Sequence, residues 1–407
     1  MVNVAFVAPF FLRATLQFID GAAGLPGVRL ALITQDHLEK VPPELRAKLA
    51  YFDRIDNALD AAQIQDAVRR ASQKLGPVTR LLGTLEDLQE ILAEVRETLN
   101  IPGMGTTAST NFRQKSRMKE ILRASGIPCA GHCLATNAAE VTAFAEKTGF
   151  PLVAKPPAGA GTRHTTQING RDELTSYLSR FEPTKAFPIL FEEFIMGNEH
   201  TFESMWVRGH MVWHSLTRYF PSPLEVLKNP WIQWCILLPR EIDHPHFDDI
   251  REIAAAANRA LGIDTGLTHL EWFRRMDGSV AVSEVAARPP GGQLTSITGF
   301  AHDFDIHRAW ARLMVFGEFD PPKRAYAAGA AFIRAQGSGE RIKAIHGVNE
   351  VQEELGPLIT EMKLPQIGAP PSGTYEGEGY ILLRHPITAV VEKALFNIIT
   401  TIRVELG

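Results

Sequence analysis

The chain has 407 residues, 45% of them hydrophobic, ample for a core and too long for one ordinary domain, so two or three domains are expected. Its 42 basic and 46 acidic residues leave a net charge of −4, which gives no basic footprint for nucleic acid. No charged-then-apolar leader opens the chain and no apolar run approaches the roughly 20 residues a bilayer demands, and the three cysteines point to a reducing cytoplasm without a disulfide framework.

Residues 1 to about 105 alternate strand and helix. "VNVAFVAP", "VRLALIT" and "VTRLLGT" read as strands; "DAAQIQDAVRRASQKL" and "LEDLQEILAEVRETL" read as helices with apolar residues at three-to-four spacing. The pattern predicts a parallel α/β layer. Its first turn, "APFFLRA", has no G-x-G-x-x-G, so a dinucleotide fingerprint is absent. "NIPGMGTTAST" reads as a linker and "NFRQKSRMKEILRASG" as a helix stopped by Gly126-Ile127-Pro128. Cys129 and Cys133 flank His132, but a fourth ligand and a second pair are missing, so ordinary thiols are the better reading than zinc.

A small α/β unit follows: helix "AAEVTAFAEKTG", strand "PLVAK", a glycine turn, strand "TTQI", helix "RDELTSYLSRF" and strand "PILFEEFI". From residue 199 strands dominate, in "EHTFESMWV", "MVWHSLTRYF", "IQWCILLP", "LTHLEWFRR" and "SVAVSEVAAR", with "HFDDIREIAAAANRALG" and "DIHRAWARLMV" as helices. A further unit of about eighty residues begins at "AYAAGAAFIRA".

Three groups of residues can carry chemistry. In "LVAKPPAGAGTRHT", Lys155 ends a buried strand, and Gly159 and Gly161 lie in a turn whose amides can approach phosphates; an ordinary flexible hairpin is the alternative. In "LFEEFIMGNEHTFESM", "FEEFI" offers an apolar slot and a backbone edge of the kind an adenine needs, and Glu199 can accept from ribose hydroxyls. Taken singly, Glu192, Glu193 and Glu199 read as solvated residues. Glu271 and Glu284 lie on two strands joined by "RMDGS", whose Asp-Gly pair signals a hairpin that can bring them side by side. Two carboxylates so placed suit Mg²⁺ held together with phosphate oxygens. Arg288, on the face of Glu284, can grip a phosphate or carboxylate; a buried Glu284–Arg288 ion pair is the competing reading.

In this order the groups resemble the ATP-grasp superfamily of carboxylate–amine ligases, closest to the L-amino-acid ligase and biotin-carboxylase-like branch. The match covers roughly 110 to 320. The resemblance implies an N-terminal parallel α/β domain (1–109), an α+β ATP-grasp domain (110–325) with a lid at about 130–195 and a central antiparallel sheet, and a small C-terminal α+β domain (326–407). It implies ATP and one or two Mg²⁺, with Mn²⁺ as a substitute. Lys115 and Lys155 would contact phosphates with Gly159 and Gly161, Glu192, Glu193, Phe194 and Ile195 would hold adenine, and Glu199 ribose. Glu271 and Glu284 would bind the metal, with Arg288 and Lys155 catalytic. Position 286 is Ala where the family commonly has Asn as a further metal ligand, which puts a second metal in doubt. "PPGGQ" resembles a turn that lines the acceptor site, making Gly291 and Gly292 substrate-loop candidates.

The implied reaction joins a carboxylic acid, an amino acid by resemblance, to an amine through an acylphosphate, releasing ADP and phosphate, with the lid excluding water. Small-molecule substrates, a cytoplasmic location and a homodimer are the family expectation, with no nucleic-acid or membrane partner. Three alternatives stay open: a different carboxylate joined to a carrier amine or thiol, a bicarbonate-activating carboxylase, and a non-enzymatic nucleotide-binding relative, for which Ala286 is the sole support. Trp206, Trp213, Trp231, Trp234 and Phe220 read as packing residues ahead of an aromatic acceptor pocket. His200, His214 and His269 read as satisfied structural residues.

Overall fold

The computed structural model describes residues 1–159, 165–229 and 231–407. The N-terminal apolar runs form a four-stranded parallel sheet of β1 (Val2–Ala8), β2 (Val28–Thr34), β3 (Tyr51–Arg54) and β4 (Val78–Leu82), in the order β3-β2-β1-β4. Continuous apolar strands such as "AFVA" suit a sheet covered on both faces. Helices Ala61–Leu75 and Gln89–Leu99 cover one face through Ile64, Val68 and Leu92. Helix Arg13–Ala23 covers the other and packs on helix Ile306–Phe316, where Phe18 meets Trp310 edge-on at 4.9 Å. Gly21 permits that approach, since a Cβ there would lie 2.8 Å from the His307 carbonyl carbon.

The stretch expected to be a linker contains a helix, Thr106–Arg113. Its sequence, "TTASTNFR", has weak intrinsic propensity. Packing holds it: Phe112 is buried and the Asn111 amide donates to the Leu261 carbonyl at 3.1 Å. The chain breaks at Gln114 and resumes as helix Lys115–Ala124.

The unit expected to be a lid is a four-stranded sheet of β5 (His132–Ala135), β6 (Leu152–Lys155), β7 (Thr166–Ile168) and β8 (Ile189–Glu193), in the order β5-β8-β6-β7. β6 and β7 are antiparallel, as the glycine turn between them suggested. Gly161 lies outside the described residues.

The remaining strands are β9 (Gly197–Val207), β10 (His210–Phe220), β11 (Trp234–Leu238), β12 (Gly266–Arg275), β13 (Val280–Ala286), β14 (Ala327–Ile333), β15 (Ala335–Gln336), β16 (Ile342–His346), β17 (Ile359–Lys363), β18 (Gly379–His385) and β19 (Arg403–Leu406). Eight of them build one antiparallel sheet in the order β13-β12-β9-β10-β11-β14-β18-β17. Pairing of β11 with β14, Trp234 opposite Phe332, carries this sheet across residue 325. β15, β19 and β16 form a small sheet beside it. Among the described residues no helix is long and apolar enough to cross a membrane.

Candidate active site

The hairpin of β12 and β13 sets the site. Asp277 accepts from the Ser279 amide at 2.9 Å and Gly278 takes a positive φ of 84°, closing the turn. The resulting register places Glu271 opposite Glu284 and His269 opposite Ala286. Across this hairpin lies helix Lys115–Ala124, whose lysines one turn apart share a face. The Lys115 ammonium donates to Glu284 and, at 2.9 Å, to the Gly159 carbonyl. The Lys119 ammonium donates to the Ser283 carbonyl at 2.8 Å.

Burial alone would raise the Glu284 carboxyl, but the ammoniums of Lys115 and Lys155 outweigh it and hold it down to about 2. Among the described residues Arg288 makes no direct ion pair with Glu284. β13 ends at Ala286, and beyond it the Arg288 guanidinium reaches Glu86 at 2.5 Å and its own neighbour's carbonyl, Pro289, at 2.9 Å. The Glu284–Arg288 pair weighed from the sequence is therefore replaced by two pairs, each with a partner from a distant element. Glu86 is held in turn by Arg113 at 3.4 Å.

Glu192 is not solvated; it is 4% exposed on β8. Lys155, at the end of β6, reaches one of its oxygens at 2.9 Å, and Lys119 approaches the other at 3.3 Å. That second contact is an ion pair without hydrogen-bond alignment, and Glu192 Oε1 has no donor among the described residues. Burial opposes ionisation of Glu192, and the two lysines reverse it, leaving its carboxyl below the ordinary value. Glu193 is committed to the lid: its carboxylate accepts from the Gly131 amide at 3.0 Å.

Glu199 also departs from the solvated reading. Burial and the neighbouring Glu271 push its carboxyl well above the ordinary range. His269 is more than a packing residue: its Nδ1 lies 2.8 Å from Glu203 and its Nε2 3.5 Å from Glu271. Burial would lower the imidazole's pKa, but the two carboxylates raise it to about 9. The sequence held a signal for this, because His269 and Glu271, two apart on a strand, share a face.

These side chains line one cleft of about 1990 Å³ between the lid and the central sheet. Lys115, Lys155, Gly159, Glu192, Glu193, Phe194, Ile195, Glu199, Glu271, Glu284 and Arg288 all border it, as do Gly291 and Gly292. Lys119, Glu86, His269 and Tyr375 were not singled out from sequence as site residues. Trp206 and Trp213 are core residues, as expected, whereas Trp234 and Phe220 also face the cleft, as does Trp231, which is 66% exposed. Trp234 meets Tyr219 and Tyr375 edge-on at 5.3 and 4.9 Å.

Residues 120–300 match the ATP-grasp domain model. The chain is 25% identical over 228 residues to the L-arginine-specific L-amino acid ligase of Bacillus subtilis, covering 54% of each protein. It is 24% identical over 251 residues to a Bacillus subtilis alanine–anticapsin ligase, covering 57% of this chain and 53% of that one. The matches thus span about half the length of these curated relatives. Among solved structures, an L-amino acid ligase from Bacillus licheniformis superposes with a TM-score of 0.79 at 22% identity, covering 100% of this chain and 99% of that one. N5-carboxyaminoimidazole ribonucleotide synthetase from Thermotoga maritima follows the same fold, with a TM-score of 0.71 at 16% identity and full coverage of both chains.

Proposed function

We propose, for a chain whose residues 120–300 match the ATP-grasp domain model, that it is an ATP-dependent ligase joining a carboxylic acid, an amino acid by similarity to its relatives, to an amine. The observation that carries the reading is the register pairing of Glu271 with Glu284 in a cleft that also holds Lys115 and Lys155. The domains divide at residues 109/110 and 325/326, with residues 130–195 as the lid.

The donor set fits a nucleotide with a divalent cation. Two opposed carboxylates, of which Glu284 is held ionised, supply hard oxygen ligands, and the ammoniums of Lys115 and Lys155 stand beside them for phosphate oxygens. Mg²⁺ held by Glu271 and Glu284 would neutralise charge on the phosphates. Phe194, Ile195 and Glu199 border the cleft, where the first two would wall an adenine and Glu199 would meet its ribose.

The residues then act by position. Lys155 and Lys115 hold the transferring phosphoryl group in line with the substrate carboxylate, which attacks γ-phosphorus as the bond to ADP breaks. Arg288, fixed by Glu86, steadies the developing charge on the acylphosphate. The amine attacks the acyl carbon, phosphate departs with the C–O bonding pair, and the amine's proton leaves to solvent. The lid sheet covers this face and limits hydrolysis of the acylphosphate. A screen of amino-acid pairs, scored by ADP and phosphate release with Mg²⁺, tests the reading. Absence of ADP across acids, amines and bicarbonate would remove it.

A further inference from the structure

We propose that the end of the cleft formed by Tyr219, Trp234, Tyr375, Glu376 and Gly292 receives a positively charged side-chain end of the substrate, an ammonium or a guanidinium, so that one of the two joined molecules is basic. This names a substrate class for the ligase reading above and rests on it.

Glu376 is the acidic group at this end of the cleft. It lies on the loop between β17 and β18 and borders the cleft. Among the described residues no lysine, arginine or histidine stands within ion-pair distance of it. Its loop neighbour Glu378 is by contrast consumed, accepting from the amides of Ala335 at 2.7 Å and Ser372 at 2.6 Å. The nearby guanidiniums are committed elsewhere. Arg288 is on Glu86, and Arg334 donates to the carbonyls of Val226, Asn229, Ile232 and Thr374. Burial accordingly pushes the Glu376 carboxyl up from its ordinary value, the mark of a carboxylate short of a counter-charge.

The surroundings fit a cation better than the alternatives. Trp234 and the edge-on rings of Tyr219 and Tyr375 give aromatic walls, which attract ammonium and guanidinium groups. Among charged neighbours the Tyr375 hydroxyl feels Glu376 first, ahead of the opposing Arg288, so the field beside these rings is negative. An anionic group would meet that field. An apolar side chain would cover Glu376 and leave it unpaired, which is costly. Gly292, at φ +58°, keeps the space in front of Trp234 open, for a Cβ there would lie 3.6 Å from the indole.

Two matched pairs of free amino acids decide it: L-arginine against L-citrulline, and L-lysine against L-norleucine. Binding is measured by calorimetry on the full chain with Mg²⁺ and a non-hydrolysable ATP analogue. The expected result is a preference of about tenfold or more for the basic member of at least one pair, the scale of one charge-assisted contact. Glu376→Gln should abolish that preference, with the affinity for the ATP analogue as the control for folding. Equal affinity within both pairs, no binding of either basic member, or a preference that survives Glu376→Gln overturns the proposal. ADP release from neutral pairs alone would also overturn it while leaving the ligase reading standing; ADP release from no pair would count against the ligase reading.

Discussion

Glu271 and Glu284 stand opposite each other across the β12–β13 hairpin, and the Lys115 ammonium sits on Glu284. Glu284 is the counter-ion of a buried lysine and, on the proposed reading, also a metal-facing charge. Glu284→Gln should lower turnover by about 10²–10³, the range for losing one preorganised charged contact. It should also weaken the Mg²⁺-dependent binding of an ATP analogue. Some loss of melting temperature should accompany it, because Lys115 loses its partner. Near-normal turnover with Mg²⁺ would make the carboxylate purely structural.

Lys119 is fully buried and faces Glu192, which also takes Lys155. Glu192→Leu should destabilise by about 3–5 kcal/mol, as expected when one member of a buried pair is removed. Combining it with Lys119→Met should recover part of that loss, since apolar groups replacing both members of a pair are often near neutral. Urea unfolding of the two singles and the double gives the cycle. A double variant weaker than the sum of the singles would contradict this arrangement.

Two groups shape the pH dependence of stability without nucleotide or metal. His269 is raised from 6.5 to about 9, so its contribution is complete below pH 6.5 and fades as pH rises through 9. Glu284 is depressed from 4.5 to about 2, so its contribution is complete above pH 4.5 and fades as pH falls toward 2. Both are whole between pH 4.5 and 6.5. The stability difference between the wild type and His269→Gln should be largest below pH 6.5 and small above 9, with about 3 kcal/mol as its ceiling. A difference that is flat from pH 6 to 10 would mean that the imidazole is neutral throughout.

What the sequence disclosed follows the range of the interactions involved. The β12–β13 hairpin was legible because its Asp277-Gly278 turn and alternating strands are local signals, and they bring Glu271 to Glu284. The antiparallel pairing of β6 with β7 was legible from two strand patterns close together in the chain. Helix Thr106–Arg113 was not, since packing against Leu261, far along the chain, decides it over weak propensity. Arg288 and Glu86 are 202 positions apart, and no pattern announces such a pair. Glu376 sits in "GTYEGEG", which has no periodicity to orient its side chain. Lys119 was within reach, because its spacing of four from Lys115 puts both on one helix face.

The acylphosphate route also fixes which bond of ATP breaks. Lys115 and Lys155 converge on the side of the cleft where Glu271 and Glu284 stand opposed. That geometry favours charge developing at the terminal phosphate, and so ADP with inorganic phosphate. An adenylating enzyme would direct the carboxylate at the α-phosphorus and release AMP with pyrophosphate. Arg288 tests the same step from the acyl side. Its guanidinium is fixed by Glu86 at 2.5 Å and by the Pro289 carbonyl at 2.9 Å, so its plane is set before substrate arrives. Arg288→Lys keeps the charge but loses the planar fork, and should slow turnover by about 10²–10³, corresponding to roughly 2.7–4 kcal/mol. Because the effect is on the transition state, kcat should fall while the KM for ATP stays within a few-fold. Chromatography of nucleotides from a working reaction separates the routes: stoichiometric AMP would rule out the acylphosphate, and an Arg288→Lys variant altered only in its KM for ATP would move Arg288 from the acyl group to the nucleotide.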